Sequence, residues 1–218
     1  ANKYFPVIEP ILEKYNVPDD FKFLAVIESG LVNVVSPAGA KGVWQIMPST
    51  GRENGLEINQ NVDERYNLEK STEVACKYLL DAKERFGSWT LAAASYNAGK
   101  NGIGRRLESQ NVSNYYDLLL AEETGRYIFR IVALKEILNH PDKYGFNYRH
   151  KDLYKPIPTY KVILDTAVTD FVKFSEQFGI NYKILKLHNP WLREPHLNNK
   201  SRKEYLIKIP KEGFYSKP

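Results

Sequence analysis

Glu28 lies at a position where a carboxylic acid can stay protonated and then donate its proton. The helix predicted to follow Asp20 brings apolar residues onto the same face as this glutamate. They are Phe21, Leu24 and Ala25. Glu28 also lies in the last turn, where the negative end of the helix dipole disfavours an anion. Burial and the dipole both raise the pKa of the carboxyl group, which favours proton donation near neutral pH. The alternative is a glutamate that rotates into solvent.

The residues after Glu28 suit the wall of a ligand groove. No Asp or Glu occurs between Glu28 and Glu53, and the small residues of 36–42 let the backbone approach a ligand closely. Gln45 then interrupts an apolar run. A buried amide forms either a structural hydrogen bond to the backbone or a contact to a sugar hydroxyl or acetamido group. Its neighbour Trp44 is either a core residue or a platform on which a sugar stacks.

Two later segments bring further polar groups to such a groove. A helix of small residues, predicted over 89–97, ends in a polar, glycine-rich exit whose tip can line a site. Tyr127 lies on the apolar stripe of another predicted helix, so its hydroxyl needs a buried partner. Glu28 would serve as that partner.

The positions of these residues follow from predicted helices and a few predicted strands. Apolar spacing and end signals predict four helices in the first part of the chain, at 20–29, 63–86, 89–97 and 124–138. The segment 34–48 is expected to be irregular. The last third reads as a strand-helix-helix-strand unit, with elements at 159–164, 168–178, 182–188 and 205–209.

Charge and proline content place a boundary before that unit. Residues 1–150 carry 18 Lys and Arg against 19 Asp and Glu, whereas residues 151–218 carry 13 against 7. Half of the 12 prolines also lie in the last third. We predict a helical domain over 1–150, a linker over 151–158 and a small β-α-α-β module over 159–218. The strands and helices of this module span only about 50 residues, which gives a marginal core, so we expect the module to dock on the first domain.

The composition excludes several classes of protein. With 43% hydrophobic and 26% charged residues the chain is globular. No apolar run approaches the roughly 18 residues of a membrane span, and the start shows no signal pattern, so an exported form would have lost its targeting segment. The single Cys76 excludes an internal disulfide and a multi-thiolate metal site.

The remaining polar residues suggest no bound metal, cofactor or nucleic acid. The 4 histidines show no metal-ligand spacing. The lysines of the basic last third are dispersed among apolar positions, without a nucleic-acid reader motif. We therefore expect no metal, no cofactor and no nucleic-acid partner.

Four motifs together resemble a known family. They are Glu28-Ser29, Gly42-Val43-Trp44-Gln45-Ile46-Met47-Pro48, Ser95-Tyr96-Asn97-Ala98-Gly99, and Glu123-Thr124 with Arg126-Tyr127. In this order and spacing they resemble the lytic murein transglycosylase domain related to goose-type lysozyme. The tail is similar, more loosely, to LysM glycan-binding modules. The resemblance therefore implies a mainly α (α+β) fold, a lysozyme-like helical catalytic domain followed by a small LysM-like appendage.

The same resemblance implies an activity and its residues. The enzyme would cleave the MurNAc-GlcNAc bond of peptidoglycan without water and leave 1,6-anhydroMurNAc ends. Glu28 would act first as the acid and then as the base. The substrate site would comprise Ser36, Gln45, Tyr96, Asn97 and Tyr127, with Tyr127 hydrogen-bonded to Glu28. The enzyme would be a monomer in the bacterial cell envelope, in the periplasm, and its full-length form could be an outer-membrane lipoprotein.

Other functions stay open at this stage. A goose-type lysozyme would share the acid but release a hydrolysed end. A non-catalytic wall-binding protein would use the positive tail to attract anionic wall polymers. Most glycosidases use two carboxyl groups, and Asp63, Asp117 or Glu123 remain open as a partner for Glu28.

Overall fold

The structure is a computed structural model that describes residues 1–215. It consists of a helical region and a small module that contains a two-stranded sheet. The α-helices are α1 (Phe5–Lys14), α2 (Lys22–Ser29), α3 (Pro48–Glu53), α4 (Leu68–Phe86), α5 (Trp89–Ala98), α6 (Lys100–Gln110), α7 (Glu122–Gly125), α8 (Tyr127–Asn139), α9 (Phe171–Glu176) and α10 (Tyr182–His188). The strands β1 (Thr159–Leu164) and β2 (Tyr205–Pro210) pair antiparallel. The predicted mainly α class is confirmed. Residues 216–218 of the predicted module lie outside the described residues.

The two helices that carry the first and third motifs end where the sequence indicates. Gly30 follows α2 in the left-handed region at φ +62°, which only glycine adopts without steric cost. At the start of α5 the Ser88 hydroxyl accepts a hydrogen bond from Leu91 N–H at 3.2 Å. The consecutive alanines 92–94 of α5 are all buried. Their small side chains let α5 pack closely against α4.

The helix predicted over 63–86 begins later than expected. α4 starts at Leu68, and the Asn67 side chain caps it by accepting from Lys70 N–H at 3.1 Å. Before it, the Asp63 backbone N–H donates to Trp191 O at 2.9 Å. This bond to a distant segment keeps residue 63 extended, so tertiary pairing prevails over local helical spacing.

The helix predicted over 124–138 is divided in two. α7 ends at Gly125 and α8 begins at Tyr127. The Tyr115 hydroxyl lies 2.9 Å from Thr124 O and 2.8 Å from Gly125 O. The Tyr115 hydroxyl therefore binds carbonyl groups at the junction between the two helices.

The helices α1 and α6 were not predicted from the sequence. α1 buries Ile8 and Leu12 against the main core. α6 contains Gly102 and Gly104, which lower helix propensity. A Cβ at residue 104 would lie 3.0 Å from the Arg85 guanidinium, so close packing explains the glycine there. Both helices are stabilised by packing rather than by local signals.

The module docks on the helical region. Its apolar core includes Val62 and Tyr66 from the helical region. The guanidinium of Arg193 lies 4.2 Å from the centroid of the Tyr66 ring. Residues from both parts therefore share one core, which supplies burial that the module lacks alone. Within the described residues, no helix is both long and apolar enough to span a bilayer.

Candidate active site

Glu28 lies at the end of α2, half-buried beside a phenol. Leu24 and Ala25, one turn earlier, are fully buried, as the spacing predicts. The Tyr127 hydroxyl, on α8, donates a hydrogen bond to Glu28 Oε1. The predicted contact between these two side chains is therefore present, and it links helices almost a hundred residues apart in sequence.

The environment of Glu28 favours its protonated form. Burial raises the pKa of the carboxyl group, and the negative charge of Glu123 adds to this. The Tyr127 hydrogen bond and the charge of Arg130 act in the opposite direction but do not reverse the shift. The direction predicted for the Glu28 pKa is confirmed, with burial as its main cause.

The Tyr127 phenol stays protonated and donates a hydrogen bond to Glu28. Burial, and then the charge of Glu28, raise the pKa of its phenol well above the usual value. The phenol therefore keeps its proton and orients the carboxyl group through Oε1. Among residues 1–215, Oε2 of Glu28 has no hydrogen-bond partner, so this oxygen is the one available to a ligand.

Gln45 stabilises the loop that follows α2. Its Nε2 donates to Gly42 O at 2.8 Å and to Val34 O at 3.1 Å. The structural alternative for this amide is therefore present in the structure. Within residues 1–215 its Oε1 accepts no hydrogen bond, which leaves that oxygen for a ligand donor. A substrate contact by Gln45 stays a prediction.

Ser36 closes the turn opposite Gln45. Its Oγ accepts from Ala40 N–H at 3.0 Å, and its backbone N–H donates to Ala40 O at 2.9 Å. Because the hydroxyl oxygen is the acceptor here, the hydroxyl proton stays available for donation. The position is half-buried.

Arg65 is a positioning residue that the sequence analysis missed. It is 3% exposed, and its Nε and Nη2 bind the two oxygens of Asp63 at 2.8 and 2.7 Å. Its Nη1 donates to Gly39 O at 3.0 Å and to Ile46 O at 3.4 Å. One guanidinium thus connects both ends of the loop that carries Gln45. The carboxylate two residues earlier was the only signal that could have indicated this arrangement.

Asn97 joins α5 to α7. Its Nδ2 donates to Glu123 Oε1 at 3.0 Å, and its Oδ1 accepts from the Thr124 hydroxyl at 2.8 Å. Both ends of the amide are engaged by the segment that leads directly into Tyr127. A sugar contact by Asn97 stays a prediction, and the structure adds a role in placing α7.

Tyr96 and Trp44 belong to the interior behind the site. The Tyr96 hydroxyl donates to Trp44 O at 2.7 Å, and its ring lies edge-on to Tyr78 at 5.2 Å. Trp44 is fully buried and donates from Nε1 to Thr72 Oγ1 at 2.7 Å. Of its two interpretations the core residue is correct. Direct substrate binding by Tyr96 stays a prediction.

The three candidate partner carboxylates differ in their surroundings. Asp63 is ion-paired with Arg65, and Asp117 is bound by Asn114 Nδ2 at 2.5 Å. Of these three, only Glu123 affects the pKa of Glu28, which its negative charge raises. Within the described residues, no group of three or more His, Cys, Asp and Glu side chains is arranged to hold a metal ion.

Comparisons with known proteins identify the family of each part of the chain. The transglycosylase SLT domain family matches residues 6–118, and the family of soluble lytic transglycosylase C-terminal LysM-like domains matches residues 160–213. The membrane-bound lytic murein transglycosylase D of Escherichia coli strain K12 is 29% identical over 97% of this chain and 47% of its own length. The protein of the same name from strain O6:H1 gives the same values.

A solved structure has the same fold. The lytic transglycosylase Slt of Pseudomonas aeruginosa, an inactive mutant, matches with a TM-score of 0.52 at 16% identity. The match covers 69% of this chain and 26% of that one. The chain spans about half the length of the curated relatives it matches. Since the first family covers more than half of the sequence, this chain belongs to the transglycosylase SLT domain family.

Proposed function

We propose that the chain is a lytic transglycosylase that cleaves peptidoglycan with Glu28 as its single acid and base. The observation that carries the proposal is the carboxyl group of Glu28, half-buried, bound by the Tyr127 hydroxyl and shifted toward its protonated form. The family of the chain and its murein-cleaving relatives support the same activity.

Glu28 acts twice in the reaction, first as an acid and then as a base. Glu28 donates its proton to the oxygen that bridges MurNAc and GlcNAc as the bond from MurNAc C1 breaks, and the N-acetyl carbonyl of MurNAc stabilises the electron-poor carbon. The carboxylate of Glu28 then takes the proton of the MurNAc C6 hydroxyl while O6 bonds to C1. The products are a free GlcNAc hydroxyl and a 1,6-anhydro ring. No water is consumed, and Glu28 ends protonated.

The surroundings of Glu28 favour a mechanism with one carboxyl group. Two-carboxylate glycosidases place their second group about 5 to 9.5 Å from the first, free to act as a nucleophile or a base. Asp63 is neutralised by Arg65, and Glu123 accepts a hydrogen bond from Asn97. Glu123 then contributes negative charge that keeps Glu28 protonated.

The other site residues would bind the sugar through their unused atoms. Gln45 would accept a hydrogen bond at Oε1, and Ser36 would donate its hydroxyl proton to the acetamido group. Asn97 would contact the sugar through its second Nδ2 proton or the second lone pair of Oδ1, since each end of its amide makes one bond to α7. Tyr96 would contribute ring surface rather than its hydroxyl.

The proposed substrate determines where the enzyme works. Peptidoglycan lies in the bacterial cell envelope, so we place the enzyme there, in the periplasm, as a monomer that binds glycan strands. A full-length form anchored to the outer membrane by a lipid is consistent with the name of the E. coli relatives.

Product analysis tests the proposal. Purified sacculi are digested with the wild-type chain and with Glu28→Gln, and the released fragments are weighed by mass spectrometry. We expect disaccharides lighter by one water than hydrolysed ones, and a loss of turnover of about 10²- to 10⁴-fold in the variant.

The outcomes separate the alternatives. Hydrolysed reducing ends would identify a goose-type lysozyme activity. Binding to sacculi without any released fragment would indicate a wall-binding protein. Retained lysis by a correctly folded Glu28→Gln protein would refute the role of Glu28.

A further inference from the structure

A cleft of about 320 Å³ lies between the helical region and the module. Its lining includes Lys3 and Tyr4 near the start of the chain, Lys161 and Lys208 of the strands, and Trp191. Its volume is within the usual range for sites that bind small organic molecules. The cleft is therefore large enough for a ligand of a few residues.

One lining residue of the cleft is hydrogen-bonded to the end of α2. Val43, one of its lining residues, accepts a hydrogen bond at its carbonyl from the Ser29 hydroxyl at 2.7 Å. Ser29 is the residue directly after Glu28.

Positive charge is concentrated in the cleft. Lys161 and Lys208 are directly opposite each other in the antiparallel pair, and both line the cleft. Like charges at such positions destabilise a sheet. Lys208 pairs with Glu69, whereas within residues 1–215 neither Lys161 nor Lys3 forms an ion pair. The lining therefore holds more cations than carboxylates.

The nearby histidine reports the same positive potential. Burial lowers the pKa of His188, and the charges of Lys3 and Lys208 lower it further. The neutral ring is hydrogen-bonded to the Tyr215 hydroxyl at 3.0 Å. A cation is thus disfavoured at this position, and an anion would be stabilised.

We propose that this cleft binds the carboxylate groups of the peptide attached to the glycan strand, through Lys3, Lys161 and Lys208. The inference rests on the proposed function, since it takes peptidoglycan as the substrate. The repulsion between Lys161 and Lys208 is relieved when a carboxylate lies between them. The cleft would then make the enzyme prefer glycan that carries peptides.

The lining favours a peptide over a bare phosphate. Val7, Ile157, Leu187 and Trp191 add apolar surface to the cleft. Short peptides with methyl and methylene groups between their carboxylates match this mixture of cations and apolar walls. A phosphate group would use the lysines but would leave the apolar surface uncovered.

Binding measurements on this chain test the inference. The chain carries Glu28→Gln, which prevents turnover. The probes are the disaccharide GlcNAc-anhydroMurNAc with its tetrapeptide and the same disaccharide without peptide, titrated by calorimetry at fixed ionic strength. We expect the peptide to strengthen binding. Adding Lys161→Gln should weaken the peptide-bearing probe about fivefold, and adding Lys3→Gln as well about twentyfold. The peptide-free probe should be unaffected.

Lys173→Gln is the matched control, because Lys173 is exposed on α9 and lies outside the cleft. The melting temperature of Lys161→Gln should equal or exceed that of the parent, since a like-charge contact is lost. The inference would be overturned if Lys161→Gln and Lys173→Gln weakened binding of the peptide-bearing probe equally. It would also be overturned if the two probes bound with equal affinity. The inference would also be overturned if Lys161→Gln lost binding to phosphatidylglycerol vesicles while its binding of the peptide probe stayed unchanged.

Turnover assays separate this result from the proposed function. If the wild-type chain releases anhydro products equally well from sacculi and from glycan stripped of peptides, the function holds and the peptide site is wrong. If it releases no such product from either, the proposed function itself fails.

Discussion

Two regions of the molecule shelter a carboxylate, and they have opposite effects on it. At the end of α2, burial raises the pKa of Glu28. At Asp63 burial acts in the same direction, but the hydrogen bonds and charge of Arg65 outweigh it and lower the pKa. Asp63 is only 3% exposed and yet is the stronger acid. Burial alone therefore does not raise the pKa of a carboxyl group. The pKa is raised only where no cation is bound tightly to the carboxylate.

The two regions also divide the work of the site. The Glu28 region holds the reactive group with a phenol, which orients the carboxyl group without neutralising it. The Asp63 region uses a complete ion pair to hold backbone carbonyls of the loop that faces Glu28. The first arrangement suits the proton transfer proposed for Glu28, and the second holds the loop in place. Five predictions test this contrast.

The largest effect is expected for Arg65→Met. It leaves Asp63 buried with only Lys41 nearby, at 3.6 Å, and removes the bonds to Gly39 and Ile46. Breaking a buried pair in this way costs about 3–5 kcal/mol of unfolding free energy, measured by urea denaturation. Arg126→Met, which breaks an exposed pair with Glu122, should cost under about 1 kcal/mol. Similar losses in both variants would contradict a structural role for the Asp63–Arg65 pair.

Gly42→Ala tests how tightly the same region packs. An added Cβ would lie 2.1 Å from Arg65 O, and φ is +82°. We expect a loss of about 2–4 kcal/mol in urea denaturation, from steric overlap and backbone strain. Gly39→Ala separates these causes, because φ is +87° there and no atom lies within 4 Å of the added Cβ. Its loss should stay near 1 kcal/mol, and equal losses would show that packing against Arg65 is unimportant.

Neutral substitutions of the two acids should change stability in opposite directions at pH 7. Asp63→Asn loses charged hydrogen bonds and should cost about 1–3 kcal/mol. Glu28→Gln removes a carboxylate that burial disfavours, so it should stabilise the fold by up to about 1 kcal/mol. Destabilisation by Glu28→Gln in thermal and urea unfolding would contradict the pKa direction.

The pH dependence of stability follows from the same shifts. The raised pKa of Glu28 means that its contribution is present below the ordinary carboxyl pKa and is lost as pH rises through the folded value. The lowered pKa of Asp63 means that its contribution is present above the ordinary value and is lost as pH falls through the folded one. Differences between each variant and the wild type, measured across pH, should therefore have opposite slopes.

The smallest effects are expected in the pH profile of turnover. Activity should fall at high pH as Glu28 loses its proton. Tyr127→Phe removes a hydrogen bond that favours the carboxylate, so this limb should move to higher pH. Glu123→Gln removes a negative charge, so the limb should move to lower pH. Shifts of the same sign in profiles of kcat/KM would show that the limb does not report Glu28.

Local signals were enough to predict several elements correctly. The apolar face of α2 and the end at Gly30 depend on residues within two turns of Glu28. The cap at Ser88 is likewise local. The strand and helix ranges of the module agree with the structure to within a few residues, because alternation and Asx caps are encoded in neighbouring positions. The hydrogen bond from Tyr127 was predictable because a phenol on an apolar stripe requires a polar partner.

Long-range contacts decided what the sequence analysis missed. The break between α7 and α8 depends on Tyr115, and the late start of α4 depends on Trp191. Arg65 could not be recognised as a positioning residue, since its carbonyl partners Gly39 and Ile46 lie some 20 residues away or more. No spacing rule connects such positions.

The sequence by itself determined which groups can react, because residue type and helical phase place a carboxyl group on an apolar face. The tertiary structure alone decided which of the acids stays protonated. The pKa of a buried carboxyl group depends on the charges and donors that surround it in space, and the chain brings these together only when α2, α8 and the segment before α4 have packed.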